Sequence, residues 1–450
     1  MSRVVIYNAT ILTLDDKDVF YYPGTIEIED DRITKIYEGR PSDEVLKRVD
    51  STIDGTDKLV MPGLVDLHFH TSVAKGYGDN LPLWEFLDQV WYPSIRALNP
   101  KTACIAALYS YCTALKSGTT TVNDMYRFLD GLADAAAATG IRAVLSNDVA
   151  LPEHELDSVE DNILAYQRNN GRESGRIKVW MGHEWICLSN PELLAEIGRK
   201  KKELGTGLHI HLSESTTEVQ DTLKRYGKSP VQLAYEAGCL GPDVVAAHCV
   251  HLSDEDIALF AKTGTSVSYN GGSNAKLGNG VMPLQALQAA GVNVGMGVDA
   301  CECHNSTDMF ELMKIGSFMQ RAKHQDPSLT QASTILRMAT RNGAKALGID
   351  AGVLQVGKKA DVIVVDLTKD MMFSPLLKDP KARKEMLESH LVFGCNGTAV
   401  EHVIIDGRIV VRDFKIVGVD EEAVRKDMDT LFESIVADMK RLTMDSQNKN

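Results

Sequence analysis

The chain contains no Cys-x-x-Cys pair and no apolar stretch approaching the ~18 residues of a membrane-spanning helix. The first absence removes thiolate zinc sites, and the second gives no ground for a transmembrane segment. No run of Lys and Arg interleaved with aromatics occurs, and the formal net charge is −14. Nucleic-acid binding driven by phosphate neutralisation is therefore not expected. The opening residues Met1-Ser-Arg-Val-Val-Ile-Tyr-Asn8 lack the apolar core of a signal peptide. Together with eight scattered cysteines, this predicts reduced thiols in a cytoplasmic protein. No internal repeat and no low-complexity linker divides the chain.

What is present falls into two textures. Residues 3–14 and 24–37 alternate apolar and polar, with Asp30-Asp31 at a turn, and the same pattern returns at 360–366 and 400–411, with Asp406-Gly407 as a hairpin turn. These blocks predict one small β-sandwich assembled from residues 1–59 and 359–419. Between them, short apolar strands alternate with amphipathic helices. Candidate strands are 60–67, 119–124, 141–146, 177–182, 207–212, 244–249, 265–269 and 292–298. Helices are expected at 99–116, 190–204, 216–226, 253–263 and 283–290. Eight strand–helix units predict an α/β fold of the (β/α)₈ TIM-like type over residues 60–358. An open doubly wound sheet also alternates, but no Gly-x-Gly-x-x-Gly follows the first strand. Residues 420–450 read as a C-terminal helix from Glu421 to Leu442, followed by a disordered tail.

The first candidate barrel strand ends Met61-Pro-Gly-Leu-Val-Asp-Leu-His68-Phe-His70. Alternate residues of a strand share a face, so His68 and His70 can grip one metal ion; imidazole suits zinc, iron, nickel or copper. Alone, such a pair is more commonly a pair of ordinary surface or core histidines. Other strand ends change the balance. Strand four is followed by His183, strand five carries Leu208-His-Ile-His-Leu-Ser-Glu214, strand six ends Ala246-Ala-His-Cys-Val-His251, and strand eight ends at Asp299. So many titratable groups at the C-terminal ends of barrel strands are costly to bury unless paired or bound to metal.

These motifs resemble the amidohydrolase superfamily, and within it the methylthioadenosine/S-adenosylhomocysteine deaminases and s-triazine hydrolases (chlorohydrolases). The likeness extends to Lys116-Ser-Gly-Thr-Thr-Thr-Val-Asn-Asp-Met125, Ser273-Asn-Ala-Lys-Leu277 and Leu336-Arg-Met-Ala-Thr-Arg-Asn-Gly-Ala344. The resemblance implies one divalent metal, zinc or alternatively iron(II), on His68, His70, His211 and Asp299. It implies Glu214 as proton shuttle and His248 as the hydrogen-bonding partner of the attacking water or attacked group. Asp299 would also take the water's proton. His251 is expected to lie behind the site or at the surface, and His209, although facing the same side as His211, is not expected to ligate. The implied chemistry is an aminohydrolase reaction. A divalent metal brings the pKa of water to roughly 7, Glu214 protonates a ring nitrogen, and an exocyclic amino group leaves as ammonia. No lysine ends strand four, so a lysine-bridged pair of metals is not expected. The His-x-Glu and Pro-Cys-x-x-Cys signature of cytidine-type deaminases is absent.

Substrate-reading positions depart from the resemblance. Nucleoside-acting relatives carry a ribose-binding glutamate shortly after a proline in the first loop; Pro93-Ser-Ile-Arg96 puts Ile95 there. Recognition of ribose is expected to be weak as a result. His183 matches a substrate-binding histidine. In the run Ala300-Cys-Glu-Cys-His-Asn305, Cys303 and His304 are candidates to touch the leaving group; Cys301, Cys303 and His304 as ligands of a second metal are the less favoured reading. Trp84, Phe86, Trp91 and Tyr92 form either an aromatic lid over a flat heterocycle or a packing surface. Relatives are commonly dimers or tetramers, which implies a homodimer or homotetramer.

The expected substrate is a small amino-substituted heterocycle of purine, pterin, pyrimidine or s-triazine type. Alternatives are dechlorination of an s-triazine, deamination of S-adenosylhomocysteine, methylthioadenosine or adenosine, and a catalytically dead assembly barrel, against which the complete ligand set speaks.

Overall fold

A computed structural model of the protein describes residues 2–369 and 371–447. Eight parallel strands close into a barrel: Leu64–His70, Thr119–Met125, Arg142–Ser146, a fourth strand split into Ile177–Val179 and Met181–His183, then Leu208–Leu212, Val244–His248, Ser266–Tyr269 and Val294–Met296. The split strand pairs with the third through its first half and with the fifth through its second. Closure comes at Met296 opposite Asp66, and a short continuation, Asp299–Ala300, pairs with Phe69 and His70. Every residue of Leu64–His70 is buried, as expected for a parallel strand covered on both sides. The chain is thus an α/β TIM-like barrel, carrying a second β layer.

That layer is a nine-stranded sheet drawn from both chain ends. Arg3–Leu12, Phe20–Glu29, Arg32–Glu38, Ser51–Asp54 and Lys58–Pro62 join Val362–Asp366, Val400–Ile405, Arg408–Arg412 and Lys415–Ile416. The two ends meet where Met61 opposes Ile363. The candidate strand at 60–67 is therefore two strands, broken at Gly63, whose added Cβ would lie 2.2 Å from the Thr120 methyl. Asp406 (φ +48°) and Gly407 (φ +71°) form the hairpin turn that their sequence predicts.

The five expected helices appear as Pro100–Lys116, Pro191–Leu204, Thr216–Tyr226, Asp254–Thr263 and Leu284–Ala289. The terminal helix starts at Glu421 and is described to Gln447, past Leu442, because no Gly or Pro interrupts Arg441-Leu-Thr-Met444. Residues 448–450 of the expected tail lie outside the described residues.

Candidate active site

Strand alternation turns Asp66, His68 and His70 inward from the first barrel strand, and His209 and His211 inward from the fifth. His70 Nε2 and His211 Nε2 are 3.2 Å apart. His68 Nε2 and His70 Nε2 each lie 3.6 Å from Asp299 Oδ1. His70 therefore lies close to both His211 and Asp299, which brings ligand atoms from strands one, five and eight into one cluster. Among the described residues His68 Nε2 is buried with no hydrogen-bond partner, an arrangement that is costly without a metal or water. Ligand atoms of His68, His70 and His211 converge, as do those of His68, His248 and Asp299, and such imidazoles beside a carboxylate fit a divalent metal.

Other residues aim these groups. His68 Nδ1 meets His209 Nε2 at 2.8 Å, and His70 Nδ1 meets the Met125 carbonyl at 2.6 Å. Asp66 Oδ1 accepts from the His68 and Val298 amides, tying strand one to strand eight. Asp299 accepts from Ser273 Oγ at 2.5 Å and from the Ala300 amide at 2.6 Å. His248 Nδ1 meets Asn274 Oδ1 at 2.9 Å, leaving Nε2 directed at Asp299 Oδ2, 3.7 Å away. Glu214 Oε1 accepts from Asn279 Nδ2 at 2.8 Å, and His251 meets the Asn279 carbonyl behind it. The backbone is left-handed at Ser213 (φ +52°), His248 (φ +69°) and Asp299 (φ +75°), a conformation costing on the order of 1 kcal/mol per residue.

Burial sets the charges. It drives His68, His70, His209 and His211 below the ordinary histidine value, so they are neutral donors of lone pairs. Burial pulls the Asp299 carboxyl upward, but His248, His70, Ser273 and the Ala300 amide outweigh it and hold the group below its usual value. Glu214 is raised to about 7 by burial, with His248 opposing and Asp299 adding to the rise.

The cavity above these groups is lined by Leu83, Phe86, Trp91, Tyr92, Glu184, Trp185, Leu277 and Cys303 together with the central cluster, and encloses about 40 Å³. Of the expected substrate contacts, Cys303 lines it. Trp84 does not; it lies outside and stacks on Trp185 at 4.5 Å. His183 is also absent from the lining. Its strand residue pairs with Ile210, not with His209 or His211, so its ring points to the outer face of the barrel. Glu184, one residue on, faces the cavity instead. His304 turns away to the Ser306 carbonyl at 3.1 Å and packs on Gly272. Among the described residues, Cys301, Cys303 and His304 do not form a group with converging ligand atoms. Ile95 is fully buried and off the cavity wall. Glu184, Asn274 and Asn279 are not among the site residues expected from the sequence.

The amidohydrolase family model matches residues 59–410. A 5'-deoxyadenosine deaminase of Methanosarcina mazei is 36% identical over 445 residues, covering 97% of this chain and 99% of that one. A 5-methylthioadenosine/S-adenosylhomocysteine deaminase of Desulforudis audaxviator is 34% identical, covering 94% and 96%. Among solved structures, an adenosine deaminase from Xanthomonas campestris with bound zinc superposes with a TM-score of 0.88 at 25% identity, covering 97% of this chain and 99% of that one. An atrazine chlorohydrolase from Arthrobacter aurescens complexed with zinc shares the fold at a TM-score of 0.84 and 21% identity, with 95% and 100% covered. By fold, by the matched length of its sequence and by its relatives, the chain belongs to the amidohydrolase family.

Proposed function

We propose that this protein is a metal-dependent aminohydrolase that replaces an exocyclic amino group of a nitrogen heterocycle by a carbonyl. The observation that carries the reading is the convergence of His68, His70, His211 and Asp299 beside a buried Glu214. A divalent metal on those four residues supplies a water that ionises near neutral pH. Zinc is the ion proposed, with iron(II) as alternative. The remaining roles belong to the chain. Asp299, held ionised by its neighbours, takes a proton from the attacking water. Glu214, poised at about 7, gives a proton to the ring nitrogen and carries one to the departing amine. His248, fixed by Asn274, hydrogen-bonds through Nε2 to the attacking water or to the attacked group. Phe86, Trp91 and Trp185 wall the cavity and exclude water.

About 40 Å³ holds only a few water molecules, so the segment bearing Leu83, Phe86 and Trp91 moves to admit a heterocycle. The substrate we propose is a compact amino-heterocycle, because the cavity is small; Ile95, buried off the cavity wall, does not bear on ribose. The relatives' names favour a second reading, a deoxyadenosine- or adenosine-type nucleoside. We further propose a homodimer or homotetramer acting in the cytoplasm. The test is ammonia release by zinc-loaded protein over adenosine, 5'-deoxyadenosine, S-adenosylhomocysteine, guanine, pterins, cytosine and amino- and chloro-triazines. Ammonia from free bases or triazines with nucleosides inert is expected. Turnover of a nucleoside replaces the first substrate with the second, and chloride release without ammonia rejects deamination.

A further inference from the structure

Three of the four histidines with converging ligand atoms have their Nδ1 atom occupied: His68 by His209, His70 by the Met125 carbonyl, His248 by Asn274. Each such bond fixes the tautomer and turns Nε2 toward the centre. His211 is the exception. Its Nδ1 is buried and has no hydrogen-bond partner among the described residues. The atom that faces it is Glu184 Oε2, 3.7 Å away, which is also buried and unpartnered. The other oxygen of the same carboxyl, Oε1, accepts from Tyr92 Oη at 3.2 Å. A hydroxyl from the aromatic segment thus anchors one end of the carboxyl, and the free end looks at the one histidine without a guide. Closing that gap would relieve two orphaned atoms together.

We propose that Glu184 is the positioning residue for His211, completing a Tyr92–Glu184–His211 relay that holds Nε2 toward the metal. The proposal rests on the metal reading of the His68–His70–His211–Asp299 cluster. If His211 ligates through Nε2, its Nδ1 carries the proton, and a buried N–H without an acceptor is costly. Glu184 is the acceptor within reach. Through Tyr92 the relay also reaches the short helix Tyr92–Arg96, next to Trp91, whose ring lies 5.3 Å from that of His70. Placement of the aromatic segment and geometry of the ligand are thereby linked.

The experiment is zinc affinity of the full chain, read by competition with a chromophoric chelator, for wild type, Glu184→Met, Glu184→Gln and Tyr92→Phe. Methionine keeps the side-chain volume and removes the acceptor; glutamine keeps an acceptor oxygen. Glu184→Met is expected to weaken zinc binding about 10- to 100-fold, the usual effect of losing such a partner. Glu184→Gln should restore most of it, and Tyr92→Phe should weaken it by a few-fold. Wild-type affinity in Glu184→Met, with only KM for substrate raised, overturns the proposal and makes Glu184 a substrate contact. Glu184→Gln as weak as Glu184→Met also overturns it, since an acceptor oxygen then does not suffice. Should Glu184→Met not fold, unchanged affinity in Tyr92→Phe overturns the relay. A wild-type protein that binds no zinc rejects the metal reading itself, a separate outcome.

Discussion

The two mouths of the barrel bury charged groups in opposite ways. At the N-terminal mouth, Arg142 opens strand three and makes a two-pronged contact to Asp361, at 2.9 and 3.0 Å, and a third bond to Asp406 at 2.7 Å. Lys359 bonds Asp406 and Asp31, both at 2.8 Å. Every one of these charges is matched, and the network ties the barrel to the second sheet. At the C-terminal mouth the matching is incomplete: His68 Nε2, His211 Nδ1 and Glu184 Oε2 are buried without partners. Paired buried charges hold structure, whereas buried groups left unpaired mark the mouth where we propose that a metal and a substrate bind.

Removing a ligand should separate the two mouths most sharply. His211→Ala is expected to lose stoichiometric metal and to lower ammonia release about 10⁴-fold or more, with the fold retained by circular dichroism. Glu214→Gln comes next. It should keep one metal per chain but cut kcat by about 10²- to 10⁴-fold, the range for a lost general acid; full activity would show that the proton travels elsewhere. At the opposite mouth, Arg142→Met leaves Asp361 buried without its cation and leaves Asp406 bonded to Lys359. Unfolding free energy should drop by about 3–5 kcal/mol in denaturant titrations, while kcat per folded, metal-loaded molecule changes little.

The smallest effect is in pH. Burial raises Glu184 to about 8 and Glu214 to about 7 in the folded protein. A carboxyl raised on folding binds its proton more tightly in the native state, so its stabilisation is present at low pH and lost as pH rises through the folded value. Between pH 6.5 and 8.5 the metal-free protein should lose on the order of 2 kcal/mol from these two groups. The buried histidines act in the other direction but below pH 6.5, where the unfolded chain gains protons that the native one refuses. A melting temperature that rises between pH 6.5 and 8.5 would contradict this account of the upper mouth.

Much of this was legible in the residues. Strand and helix positions follow from period and punctuation, and Asp406-Gly407 names its own turn. His68, His70, His211 and Asp299 stand at strand ends, where parity alone fixes their direction. Parity also explains what was misread. Gly182 pairs with His209 and faces inward, so Glu184 does too and His183 does not; the break at Trp180 hides that count in the sequence. Cys303 and His304 sit on the short helix Cys301–His304, where neighbours point about 100° apart, so only one reaches the cavity. Trp84 was separated from the cavity by Trp185, distant in sequence. The roles of Asn274 and Asn279 depend on distances that no spacing along the chain encodes.

The most direct test of the central claim is ammonia release by chelator-stripped protein titrated with zinc on its best substrate. The account predicts no release from the stripped protein and full activity at one zinc per chain. Activity independent of zinc, or rising until two are bound, would contradict a single-metal centre on His68, His70, His211 and Asp299.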